Sequence, residues 1–373
     1  MRVRNFSTLV EDLLRRADIR INGDRPWDMQ VHDRSVFGRI LRQGSLGLGE
    51  SYMDGQWDAE RVDQFIERIL RARLDRDVRP LVARMAELRM RWLNLQTRHR
   101  AREVAETHYD LGNDLYQAML DPYMAYSCGY WRNARSLDEA QVAKLELICR
   151  KLRLRPGMRV LDIGCGWGSF ARYAAERHGV EVVGINISDQ QIACARERCR
   201  GLPVEIRKQD YREIDEPFDA IVSVGMFEHV GHRNYRRYFE VAERCLPDGA
   251  LFLLHTIGTS RPEEGMDPWI ERYIFPNSEL PSLAQITEAV YELLVVEDVH
   301  NFGADYDRTL MAWHANFEAA WPAFRDRYGE RFHRMWRYYL LSCAGAFRAR
   351  ATQLWQIVLS RGGVPGGYRR PDL

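Results

Sequence analysis

The second part of the chain predicts an α/β fold, a seven-stranded and mostly parallel sheet with helices on both faces, preceded by a smaller, mainly helical N-terminal domain. Three observations predict it. Short apolar runs alternate with helix-period segments from about residue 157 onward. The first run, Val160–Ile163, opens into glycines at alternate positions, Gly164, Gly166 and Gly168. Residues 1 to about 100 carry helical periodicity without that alternation.

Within the N-terminal segment, Gly44 to Gly55 is glycine-rich and reads as turns between helices. A second unit begins near His108, so the expected domains are 1–100 and 101–373. Its helical pattern runs through Leu137–Leu152 to the break at Pro156-Gly157. Strands are expected at Val160–Ile163, Glu181–Ile187, Val204–Gln209, Ala220–Val224 and Leu251–Ile257, with helices around Ala171–Arg177, Gln190–Arg200 and Tyr235–Cys245 between them. Two later strands, Leu294–Val299 and Gln353–Leu359, flank a helical stretch from Tyr306 to Arg350.

A chain of 373 residues with 46% apolar and 29% charged residues has the composition of a globular protein with a sizeable core. No apolar run approaches the roughly 20 residues of a membrane span, and Met1-Arg-Val-Arg-Asn lacks the apolar core of a signal peptide. The seven cysteines show neither pairing nor metal-ligand spacing and are expected to be reduced thiols of a cytoplasmic protein. A net charge of +1 conceals eleven arginines against three acidic residues between Arg68 and Arg102. That run is either a solvated helix face or an amphipathic helix for an anionic surface. No nucleic-acid recognition motif accompanies it, and a nucleic-acid partner is not expected.

The glycine turn ends the first strand, where an open α/β sheet places its ligand. It offers close backbone approach and a helix N-terminus, in a spacing other than the G-x-G-x-x-G of dinucleotide folds. The stretch Asp162-Ile-Gly164-Cys-Gly166-Trp-Gly168 resembles the first motif of class I S-adenosylmethionine-dependent methyltransferases, whose Rossmann-like sheet also has seven strands. The second strand ends at Asn186, with Gln191 following, where many such enzymes carry a ribose-binding carboxylate. The third ends at Asp210-Tyr211: Asp210 either accepts from the adenine amino group or caps a turn, and Tyr211 would stack.

Further motifs are His108-Tyr-Asp-Leu-Gly-Asn-Asp-Leu-Tyr116, Tyr126-Ser-Cys-Gly-Tyr-Trp131, Gly225-Met-Phe-Glu-His-Val-Gly231, His255-Thr-Ile-Gly258, Asn301 to Leu310 and Cys343 to Arg350. With these the chain closely resembles cyclopropane-fatty-acyl-phospholipid synthases over nearly its whole length, including Asn22-Gly, Pro26-Trp27 and the Gly44–Gly55 segment. The resemblance implies transfer of a methylene from S-adenosylmethionine to the cis double bond of a phospholipid acyl chain. A related lipid C-methyltransferase giving a methyl-branched product is the alternative. It implies bicarbonate as the base, held by Cys128, Glu228, His255, the Ile257 backbone and Tyr306, and adds Tyr126 and Ser127 to the cofactor contacts. Cys343 lies in a family motif and is kept as a weak catalytic candidate, since the chemistry needs no covalent enzyme intermediate. Tyr126, Tyr130, Phe227, Tyr273 and Phe275 are candidates to face a carbocation. The resemblance further implies that residues 1–100 dimerise and contact the bilayer, with the protein peripheral to the inner face of the membrane.

Overall fold

The computed structural model describes residues 6–74, 112–260 and 266–372. The described residues of Met1–Leu93, Glu264–Pro276 and Tyr306–Thr352 group as one compact, mainly helical unit. Those of Asn94–Glu263, Asn277–Asp305 and Gln353–Leu373 form the other. Two segments from the second half of the chain thus group with the N-terminal helices.

The second unit is built on a seven-stranded sheet. Its strands are β1 Arg159–Ile163, β2 Glu181–Asn186, β3 Val204–Lys208, β4 Ala220–Val224, β5 Leu251–Thr259, β6 Val295–Asn301 and β7 Thr352–Ser360, in spatial order β3-β2-β1-β4-β5-β7-β6. The pairs β1/β2, β1/β4, β2/β3 and β4/β5 are parallel, and β6/β7 is antiparallel. This is the expected fold class. Every expected strand is present within two residues of its expected ends.

The strands read as continuous apolar runs because both faces are covered. Leu161, Ile163, Phe252 and Leu254 enter one core, and Val160, Leu251, Leu253 and Val358 enter the other, as strand alternation requires. The second core also takes Leu145, Ile148 and Cys149 from the helix Leu137–Lys151, which Ser136 caps at Glu139 N. Strand order reverses between β1 and β4, so the ligand crevice of such a sheet opens at the carboxyl ends of those strands.

In the helical unit, Ser45–Met53 is a helix, not the turns expected from its glycines. The glycines serve close packing instead. A Cβ on Gly49 would lie 2.4 Å from the indole of Trp269, and one on Gly47 would lie 2.4 Å from the Arg39 carbonyl oxygen. The stretch from Tyr306 to Arg350 resolves into helices Ala304–Ala320 and Arg325–Arg348, the latter kinked at Gly329. Of the arginine-rich run, only Arg68 to Leu74 is described. Arg68 lies over the Trp27 ring at 4.1 Å and pairs with Asp18 at 3.0 Å. The remainder of the run, and residues 108–111 of the His108 motif, lie outside the described residues. No helix among the described residues is long and apolar enough to cross a membrane.

Candidate active site

A cavity opens where the sheet argument puts it. Its wall includes Tyr126, Ser127, Asp162, Gly164, Gly166, Asn186, Gln191, Asp210 and Tyr211, nine of the ten expected cofactor contacts. The tenth, Gly168, is one step back, capping the helix Ser169–His178 at φ 80°. Gly164 and Gly166 hold φ of 81° and 54°, the left-handed region that glycine enters without a steric cost. Gly164 N–H and Cys165 N–H both donate to the Ile185 carbonyl, locking the turn against β2.

Asn186 closes the next wall. Its Oδ1 accepts from the Ile187 N–H at 2.7 Å, ending the strand, while its Nδ2 donates to Gln191 Oε1 at 2.9 Å. Asp210 caps the short helix Tyr211–Glu213 and pairs with Arg212 at 2.9 Å, so it is both a cap and a cavity-lining carboxylate. The Tyr211 ring stands edge-on to Tyr238 at 5.1 Å.

The opposite wall is the loop 121–128, anchored by one face of the helix Leu137–Lys151. Gln141, Lys144, Ile148 and Lys151 recur at the spacing of a single helix face. Gln141 Nε2 donates to the Ala125 and Ser127 carbonyls at 3.2 and 2.8 Å, and Lys144 Nζ donates to Ser127 Oγ at 2.9 Å. Asp121 accepts from the N–H groups of Tyr123 and Ala125, and Met124 is held at φ 55°. A non-glycine residue in that region stores strain that the surrounding bonds must offset. Tyr126 lies 5.2 Å from Tyr116 and 6.3 Å from Trp167, forming an aromatic wall.

Lys144 is buried, and desolvation pulls its ammonium down to about 8. The neighbouring acids Asp121, Cys128 and Asp162 oppose that shift. Burial pushes Asp162 up to about 7 against the pull of Lys144. Lys144 lines the cavity but carries no motif signal. Its one sequence trace is a lysine, seven residues before another, on the apolar stripe of a helix.

Behind the cavity, Glu228 is 6% exposed and His255 1%. Glu228 Oε1 accepts the Ile257 N–H at 2.7 Å, and Glu228 Oε2 is buried without a hydrogen-bond partner. Burial pushes this carboxyl up to about 7. Gly225 N–H donates to the His255 carbonyl, tying the β4 exit to β5. The His255 ring meets Gln356 rather than Glu228, with Gln356 Nε2 3.2 Å from Nδ1, and its Nε2 is buried without a partner. Burial, with Lys144 and Lys151 nearby, holds His255 well below the usual histidine range and therefore neutral. Cys128 is buried, with its thiol 3.2 Å from the Gly129 carbonyl oxygen.

Tyr306 and Cys343 fall in the helical unit. The Tyr306 ring packs on Phe347 at 4.5 Å and Trp313 at 5.9 Å. Burial pushes the Cys343 thiol up to about 12. Among the aromatic candidates, Tyr126 lines the cavity, and Tyr130 packs with Phe302. Phe227 belongs to the core, with one face stacked 4.3 Å from Tyr235. Tyr273 and Phe275 lie in the helical unit, Tyr273 donating to Glu50 at 2.8 Å.

The sequence matches the mycolic acid cyclopropane synthetase family over residues 96–357. It is 54% identical over 368 residues to the cyclopropane-fatty-acyl-phospholipid synthase of Escherichia coli K12, covering 98% of this chain and 96% of that one. It is 34% identical over 362 residues to a probable fatty acid methyltransferase of Pseudomonas putida, covering 91% and 89%. Among solved structures it resembles mycolic acid cyclopropane synthase CmaA1 complexed with SAH and CTAB (TM-score 0.65, 33% identity, 70% of this chain and 98% of that one). The glycine-turn cavity, the seven-stranded sheet and these likenesses agree: the chain belongs to the cyclopropane synthase family of S-adenosylmethionine-dependent methyltransferases.

Proposed function

We propose that this enzyme makes cyclopropane fatty acids in phospholipids, adding the methyl carbon of S-adenosylmethionine across a cis double bond. Two buried polar atoms without partners, Glu228 Oε2 and His255 Nε2, carry the reading. They lie behind the glycine-turn cavity of a chain 54% identical to a cyclopropane-fatty-acyl-phospholipid synthase.

The alkene is a poor nucleophile with no acidic proton, so the first demand is alignment rather than a base. Its π pair forms the bond to the methyl carbon as the carbon–sulfur bond breaks, releasing S-adenosylhomocysteine and leaving a carbocation on the neighbouring carbon. Loss of a proton from the new methyl then gives the electron pair that closes the ring. Water must be kept out until closure, and an apolar, aromatic wall such as Tyr126 with Tyr116 and Trp167 suits that.

Bound bicarbonate supplies the weak base for that proton. The residues fit such an anion: a neutral His255 with its proton on Nε2 donates one hydrogen bond, and a protonated Glu228 donates another from Oε2. Burial raises the Glu228 pKa to about 7, so near neutral pH the carboxyl is divided between its two forms and can either donate to the anion or take up the proton that the anion receives. Cys128, buried in the same unit, is the further member of the expected set there. In this reading residues 1–100 serve bilayer contact and dimerisation.

The test is lipid product analysis by mass spectrometry, with purified protein, S-adenosylmethionine and vesicles of unsaturated phospholipid, with and without bicarbonate. Cyclopropane acyl chains that need bicarbonate are expected. Methyl-branched chains instead would favour the fatty acid methyltransferase activity named for the Pseudomonas relative.

A further inference from the structure

Lys151 is wholly buried at the end of the helix Leu137–Lys151, on the stripe that also carries Gln141 and Lys144. Its Nζ donates to Gln356 Oε1 at 2.9 Å and stands 3.0 Å from His300 Nδ1. Gln356, buried on β7, extends its Nε2 to His255 Nδ1 at 3.2 Å. Val358 and Leu253 share one core, so alternation puts Gln356 and His255 on that same sheet face.

From these contacts we propose that Lys151 and Gln356 are positioning residues that fix the tautomer of His255, so that its ring presents an Nε2–H donor. Burial pulls Lys151 down to about 7, so it is below that pH that Nζ, as an ammonium with donors only, selects the single acceptor of the amide, Gln356 Oε1. The amide is thereby turned with its N–H toward His255, and Nδ1 must accept. A neutral imidazole that accepts at Nδ1 carries its proton at Nε2, the atom left buried without a partner. Flipping the amide would set donor against donor at Lys151, which is costly away from water.

The inference rests on the anion-site reading above and gives it direction: a bare Nε2 would repel an anion, and an Nε2–H attracts one. Neither Gln356 nor Lys151 lines the cofactor cavity, and both are assigned a role through His255.

The experiment is long-range proton–nitrogen NMR on protein with ¹⁵N-labelled histidine. The His255 signals are assigned by their loss in His255→Asn. A protonated Nε2 and a bare Nδ1 are expected, and a protonated Nδ1 in the wild type overturns the proposal. Gln356→Glu keeps the shape but offers only acceptors, so the proton should move to Nδ1. Ring formation should fall roughly 10- to 100-fold with S-adenosylmethionine affinity near normal. An unchanged tautomer or an unchanged rate in Gln356→Glu would overturn the relay. Rescue of the rate with Lys151→Arg, compared with Lys151→Met, supports a donor requirement at 151. If the wild type makes rings without bicarbonate while the tautomer results hold, the anion reading fails and the relay stands.

Discussion

Glu228 and Ile257 are joined by one hydrogen bond that divides the carboxyl into two roles. Ile257 N–H donates to Oε1 at 2.7 Å, and Oε2 is left buried and unpartnered. The strand end thus orients the group, and the second oxygen is available for a ligand. Glu228→Gln preserves the acceptor for Ile257 and a neutral donor at the second position, but it cannot take up the proton that the anion receives from the new methyl group. Ring formation should drop by roughly 100-fold or more, while calorimetric binding of S-adenosylmethionine stays near wild type. Full activity in that variant would remove Glu228 from the chemistry.

The same carboxyl makes stability depend on pH in a definite direction. Its folded pKa is about 7 against 4.5 for a glutamate in water, so between those values the folded state holds the proton more tightly than the unfolded one. Its contribution therefore falls as pH rises from about 4.5 to 7, by up to about 3 kcal/mol. Glu228→Gln removes that loss. Urea unfolding at pH 4.5 should find the two proteins similar, and at pH 8 the variant should be the more stable. A wild type that equals the variant at pH 8 would show that Glu228 pays no burial penalty.

Much of this could be read from the sequence, because strand alternation and glycine spacing are local signals. The β1 turn needed left-handed φ at Gly164 and Gly166, and only glycine meets that cheaply. The same residue type misled at Ser45–Met53, where Gly49 is small because Trp269 lies against it. A tertiary neighbour more than two hundred positions away leaves no trace in local pattern. Lys144, Lys151 and Gln356 escaped for a similar reason. Each looks like a polar residue on an ordinary element until the fold brings its partner to it. Asp210 was ambiguous between cap and ligand, and its geometry contains both roles.

Gly166 allows strain and ligand contact to be separated. A Cβ there meets nothing within 4 Å, and the same holds at Gly201, which has φ of 83° but does not line the cavity. Alanine at either position should cost about 1 kcal/mol for the left-handed backbone, measured by denaturant unfolding. Only Gly166→Ala should also weaken S-adenosylmethionine binding, by about tenfold if the added methyl displaces the ligand by 1.4 kcal/mol. Equal affinities in the two variants would mean that the cofactor does not approach this turn.

Lys144→Met should act on the loop rather than on the reaction. It removes the donor to Ser127 Oγ and the cation beside Asp162, and leaves the Gln141 bonds to the Ala125 and Ser127 carbonyls. The strained Met124 then loses one of its restraints, so S-adenosylmethionine affinity should fall about tenfold. The turnover at saturating cofactor should change less than the affinity. A variant that binds normally but turns over slowly would instead make Lys144 part of the anion site.

Cys343 is the residue whose removal should matter least among the expected catalytic set. Its thiol sits near Asp267 in the helical unit, and burial with that neighbouring acid pushes it up to about 12. At pH 7 the thiolate is then roughly one part in 10⁵, far too little for a nucleophile, and the proposed chemistry forms no bond to the enzyme. Cys343→Ser keeps the size of the side chain and should retain ring formation within about threefold, with a small loss of stability from placing a hydroxyl in a thiol's surroundings. Labelling of the native protein with iodoacetamide should likewise leave Cys343 unmodified. Abolished product from a folded Cys343→Ser protein with normal cofactor binding would require a thiolate mechanism after all.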